Sequence, residues 1–149
     1  MREYAAKREL GGRWREGKFV WCDFWDHGRP VECVKFVDQV PGLGRVCVTG
    51  GWDGRVFAYT CDETATRGTG GELMRRFEGC GGGWVASLIA SPRCVVAGGT
   101  GGKVCAWTFG SSEPTRVLTQ GGSVTKVVFV PNRKGEDDVL VAAASTDGD

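Results

Sequence analysis

A single histidine, no surplus of either charge and no long apolar run mark this 149-residue chain. With one imidazole, a nucleophilic triad has only His27 to call on as base, and a histidine-rich metal site is excluded. Nineteen Lys+Arg against 18 Asp+Glu leave a formal charge of +1. That balance lacks the basic stripe by which nucleic acid or an anionic membrane is held, so neither is an expected partner. The most apolar stretches, Trp84 to Ala90 and Val139 to Ala144, are too short to span a bilayer. The start, Met1-Arg2-Glu3-Tyr4, has no secretory core, and a soluble protein of the cytoplasm or nucleus is expected. Cys22, Cys33, Cys47, Cys61, Cys80, Cys94 and Cys105 stand singly, with no C-x-x-C pair, which argues against a zinc or redox centre. Most lie in apolar runs such as Val46-Cys47-Val48 and read as small hydrophobes of a reducing compartment. No cofactor is expected.

Glycine is the residue in excess, 25 of 149, or about 17% against an average of about 7%. Without a collagen period, that load implies many tight turns between short strands. Runs rich in Val, Phe, Trp and Thr, broken by Gly, Pro and Asp, predict an all-β chain. Strands are expected at 18–24, 31–37, 45–50, 55–60, 72–77, 84–90, 94–98, 103–109, 115–118, 123–130 and 139–144.

Three copies of one unit follow each other. Val31-Glu32-Cys33-Val34-Lys35-Phe36 leads to Thr49-Gly50-Gly51-Trp52-Asp53-Gly54 and then to Tyr59. Val85-Ala86-Ser87-Leu88-Ile89-Ala90 leads to Ala97-Gly98-Gly99-Thr100-Gly101-Gly102 and then to Trp107. Val124-Thr125-Lys126-Val127-Val128-Phe129 leads to Ala143-Ala144-Ser145-Thr146-Asp147-Gly148. Positions 53 and 101 lie 48 residues apart, and 101 and 147 lie 46 apart. A period of this length is the mark of propellers and other repeat arrays.

This pattern resembles the WD-repeat (WD40) family, on His27 four residues before Val31, the V-x-x-V-x-F strand, the Thr49-Gly50-x-x-Asp53-Gly54 turn, and an aromatic six residues after the aspartate position. The resemblance implies a β-propeller fragment of about two and a half blades, each a four-stranded antiparallel sheet, over residues 18–149. The repeats fall at about 27–79, 80–119 and 120–149, behind a short helix and linker at 1–17. It also implies a structural tetrad of His27, Thr49, Asp53 and Tyr59. The second repeat keeps only Trp107, with Cys80 near the histidine position, Ala97 for the hydroxyl and Gly101 for the aspartate. The third keeps Asp147, beside Gln120 and Ala143. Because a closed propeller has four to eight blades, the sequence is expected to be part of a longer product or a gene fragment.

Chemistry finds little purchase. Ser123-Val124-Thr125-Lys126 spells S-x-x-K without its companion motifs, and Gly101-Gly102-Lys103 is followed by a strand in place of the helix of a phosphate loop. Asp137-Asp138 reads as a solvated turn. No catalytic or metal-ligating residue is assigned. What remains is a protein-binding surface on the face where the incoming loops and the turns open, with Arg29, Trp52, Arg55, Trp84, Thr100 and Thr146 as its candidates. Trp14-Arg15-Glu16-Gly17-Lys18, behind a short helix at 2–10, resembles the linker of F-box/WD-repeat ubiquitin-ligase receptors. The expected function is therefore a protein-interaction scaffold, with a ligase substrate receptor as its narrowest form and ubiquitin-ligase subunits as partners. A propeller enzyme with a central-channel site, or a fragment unable to close, are the alternatives.

Overall fold

The computed structural model describes residues 26–61, 71–80, 82–130 and 140–148, and every regular element among them is a β-strand. The expected helix at 2–10, the strand at 18–24, and Trp14, Trp21 and Trp25 lie outside the described residues.

The first sheet runs β1 (Val31–Val40), β2 (Gly44–Gly51), β3 (Val56–Thr60), β4 (Leu73–Phe77), in that order. The second runs β5 (Val85–Ala90), β6 (Val95–Gly99), β7 (Lys103–Trp107), β8 (Arg116–Thr119). The third is the pair β9 (Val124–Val130) and β10 (Leu140–Ser145). All pairings are antiparallel between chain neighbours. The chain is a partial propeller-like all-β fold, two four-stranded blades and a two-stranded one, with the first strands β1, β5 and β9 lying next to each other.

Burial explains which runs are continuous and which alternate. β2 and β6 carry an uninterrupted buried stretch because neighbouring structure covers both of their faces. β8 is exposed throughout, as an outermost strand. One core cluster joins the first two blades, with Val46, Val48 and Val56 packed with Val85, Leu88 and Trp107. A second joins blade two to the third pair through Val96, Val104, Val124 and Val127. A cleft of about 380 Å³ lies between the second blade and β10, lined by Val96, Val104, Leu118, Val141 and Ala143 among others. β1 runs three residues past its expected end, through a register shift at Gln39, whose φ of 59° is the left-handed region. The shift seats Val40 in the core at 2% exposure.

The blades meet at a repeated seat. A Cβ on Gly50 would lie 2.5 Å from Val85 Cγ1, and one on Gly98 would lie 2.4 Å from Val124 Cγ1. The valine that opens β5 or β9 thus rests directly on the second strand of the blade before it. Backbone and thiol bonds reinforce the seam: Val127 N–H donates to Ser87 Oγ at 3.1 Å, and the Cys33 thiol donates to the Val85 carbonyl at 3.8 Å.

Overpacking a site of this kind costs about 1–3 kcal/mol. Gly50→Ala is expected to lower unfolding stability by that amount in urea titrations. Combined with Val85→Ala it should cost less than the two single losses added together, since the new methyl would occupy the space that the valine vacates.

Candidate functional site

At one end of the sheets, the turn after each second strand is tied to the loop before each first strand by the same main-chain bond. Trp52 N–H donates to the Pro30 carbonyl, Thr100 N–H to Trp84, and Thr146 N–H to Ser123, each at 2.9 Å. Gly54, Gly102 and Gly148 close these turns at φ of 73°, 79° and 90°, a conformation that favours glycine. The repeat seen in the sequence is therefore a repeat of hydrogen bonds.

A second bond separates the copies. Trp84 N–H donates to Thr100 Oγ1 at 2.8 Å, and Ser123 N–H to Thr146 Oγ1 at 3.0 Å. The residue in their place in the first blade is Pro30, which has no N–H to satisfy. Position 52 is thereby released from supplying a hydroxyl, and a tryptophan stands there. The hydroxyls of Thr100 and Thr146, candidates for an outward surface, are engaged in these local bonds.

The first blade adds a side-chain network. His27 Nδ1 lies 3.0 Å from both carboxylate oxygens of Asp53, and Nε2 lies 2.8 Å from Thr49 Oγ1. An ionised carboxylate only accepts, so Nδ1 carries the proton and, in neutral His27, Nε2 accepts from the threonine hydroxyl. The imidazole is 3% exposed and packs edge-on against Phe57, centroids 4.5 Å apart. Burial pushes the Asp53 carboxyl up, but the hydrogen bond from His27 and the amides of Arg55 and Gly28 outweigh it. Its affinity for a proton ends below the ordinary carboxylate range. Tyr59 is buried at 1% exposure; burial, then the charge of Asp26, pushes its phenol up.

The later copies keep the frame with different side chains. Cys80, near the histidine position, donates to the Ala97 carbonyl at 3.6 Å, while Cys105 donates to the Gly79 carbonyl at 3.6 Å. Cys105 pairs with Ala97 as Phe57 pairs with Thr49 in the first blade, and the Cys105 thiol, then burial, push the buried Cys80 thiol up. Trp107 is fully buried, and its indole donates to the Glu78 carbonyl at 2.8 Å. No such relay of side chains joins Trp107 to position 97 or 101, because Ala97 and Gly101 have no polar side-chain atoms. Asp147 is exposed and lies over Gly121 and Gly122, where a Cβ on Gly121 would come within 2.5 Å of its carboxylate.

Of the surface candidates, Trp52 and Trp84 are brought together. Their rings stack with centroids 4.3 Å apart and planes 5° from parallel, at 37% and 47% exposure. Trp52 Nε1 donates to Glu32 Oε2 at 2.7 Å. Arg29 and Arg55 are exposed on the adjoining loop and turn. Neither the Glu32 contact nor the ring stack is visible in the linear pattern, since the partners lie 20 and 32 positions away from Trp52. Among the described residues no group of three or more metal-ligating side chains is present.

Fold and site together define a propeller-like chain whose turn end is held by main-chain bonds and topped by a stacked indole pair. No protein-family model and no curated protein matches it. Solved structures do: 147 chains match, among them the crystal structure of the computationally designed Ika8 protein. That likeness has a TM-score of 0.62 at 22% identity and covers 85% of this chain and 33% of that one, so this chain spans about a third of its length.

Losing a buried hydrogen-bonded partner costs about 1–3 kcal/mol, and Asp53→Asn is expected to lose stability in that range at neutral pH. Because the folded carboxyl titrates below its unfolded value of about 3.9, the wild-type contribution is complete above that value. It fades as pH falls through the folded one. Urea unfolding at stepped pH should show that slope in the wild type and a flatter line in the variant. In blade two, a Cβ on Gly101 would meet the Gly82 carbonyl oxygen at 2.7 Å. Gly101→Asp should therefore lower the melting temperature, although it restores the missing residue type.

Proposed function

We propose that the chain is a protein-interaction scaffold of WD-repeat type, binding other proteins through its turn end. The stacked Trp52–Trp84 pair carries this reading: two large aromatics, fixed by their backbones and left partly exposed, are the kind of anchor that dominates protein interfaces. Pre-organisation matters here, because side chains already held in place lose little freedom on binding. A non-enzymatic role is supported by His27, whose two ring nitrogens are both engaged by Asp53 and Thr49. The WD-repeat assignment is supported by the His27–Asp53–Thr49 network and by the repeat of turn bonds. The narrower role of substrate receptor in an F-box-type ubiquitin ligase, in the cytoplasm or nucleus, rests on the 14–18 stretch. Co-purification with an F-box-binding adaptor tests it.

For the scaffold itself, a photo-crosslinking side chain in place of Arg29, exposed on the loop beside the intact indole pair, is expected to capture a protein from cell extract. The same group in place of Val117, on the exposed outer strand β8, should not. Equal capture from both positions removes the reading.

A further inference from the structure

Resting on the scaffold reading, the geometry points to a cationic side chain, arginine above all, as the group that the Trp52–Trp84 pair takes from a partner.

Two observations select the cation. The two indole rings are parallel and both partly exposed, and an aromatic face attracts a guanidinium laid over it. At the edge of that surface stands a carboxylate: Glu32 is exposed and accepts the Trp52 indole N–H at 2.7 Å through Oε2. The bond does two things. It holds the carboxylate beside the rings, and it draws electron density into the indole, which strengthens the attraction of its face for positive charge. Glu32 Oε1 has no protein partner among the described residues, so one carboxylate oxygen is left for the ligand. Guanidinium matches this site better than ammonium because it is flat, stacks, and donates in the plane of a carboxylate.

The platform is held before any ligand arrives. Trp52 N–H is bonded to Pro30, and Trp84 uses both its N–H, to Thr100 Oγ1, and its carbonyl, to Thr100 N–H. Arg29 and Arg55 are exposed nearby and disfavour a run of positive charge. The fitting partner therefore presents one arginine in a neutral or acidic segment.

The test follows the Trp52 indole resonance of ¹⁵N-labelled protein during titration with four blocked amino acids: N-acetyl-arginine methylamide and its lysine, norleucine and glutamate counterparts. Arginine should give a saturable shift at least fivefold tighter than norleucine, with lysine between them and glutamate inert. Glu32→Gln, at an exposed position, should weaken arginine binding at least fivefold while leaving the backbone spectrum of residues away from the site in place, and Trp84→Ala should weaken it by as much, with shifts confined to the neighbours of the lost ring. Equal response to arginine and norleucine, a preference for glutamate, or no response overturns the proposal. If crosslinking from position 29 still captures a partner under any of those results, the scaffold reading stands and the cation preference alone falls. If capture fails as well, both fall.

Discussion

One main-chain hydrogen bond, from the turn amide at 52, 100 or 146 to the carbonyl of residue 30, 84 or 123, sets the geometry on which the rest of the chain depends. Its net worth is about 1 kcal/mol per copy, small beside the burial of a blade core. Its importance is positional. It fixes where the incoming loop ends, and therefore where the next residue, Val31, Val85 or Val124, begins the first strand. In the second and third copies that valine lands on Gly50 or Gly98 of the blade before. A shift of an ångström in the loop would turn a close seat into a gap or a clash.

Because the bond uses only backbone atoms, side chains around it are free to drift. The first blade surrounds it with His27, Asp53 and Thr49; the second has Cys80, Gly101 and Ala97, yet its turn closes with the same distance and the same glycine conformation. Loss of a polar residue is tolerable when its partners go with it, since no buried donor or acceptor is then stranded. In the second blade, the space of the missing carboxylate is taken by the Gly82 carbonyl, and thiols donate to main-chain oxygens. A degenerate copy is in this sense a different solution and not a damaged one.

The strand order and the turns were legible in the sequence because both are local: a hydrophobic run, a Gly-Asp pair and a 46- to 48-residue spacing need no knowledge of distant contacts. The proximity of His27 to Thr49 and Asp53 was legible only through the resemblance to a known repeat. What escaped was whatever depends on residues from different copies or on the direction of a side chain. Thr100 and Thr146 have the look of surface hydroxyls, but the N–H groups of Trp84 and Ser123 claim them. Trp52 and Trp84 were each recognisable as exposed aromatics, while their stacking across the first seam was not. Pro30 could have signalled the difference, since a missing N–H there removes the need for a hydroxyl at 52. The added length of β1 depends on a left-handed Gln39, a conformation for which glutamine carries no signal.

The paired thiols of the second blade also give the molecule a clock of its own. Cys80 and Cys105 are free and buried, at 6% and 0% exposure, between the incoming loop and β7. A reagent that alkylates thiols reaches them only when that blade opens. Their labelling rate, read at these two sites, therefore measures how often one blade breathes, while the His27 imidazole, in the incoming loop one repeat earlier, offers a separate signal for its neighbour. The chain thus carries in its unlike repeats a means of timing each blade independently, with no residue introduced for the purpose.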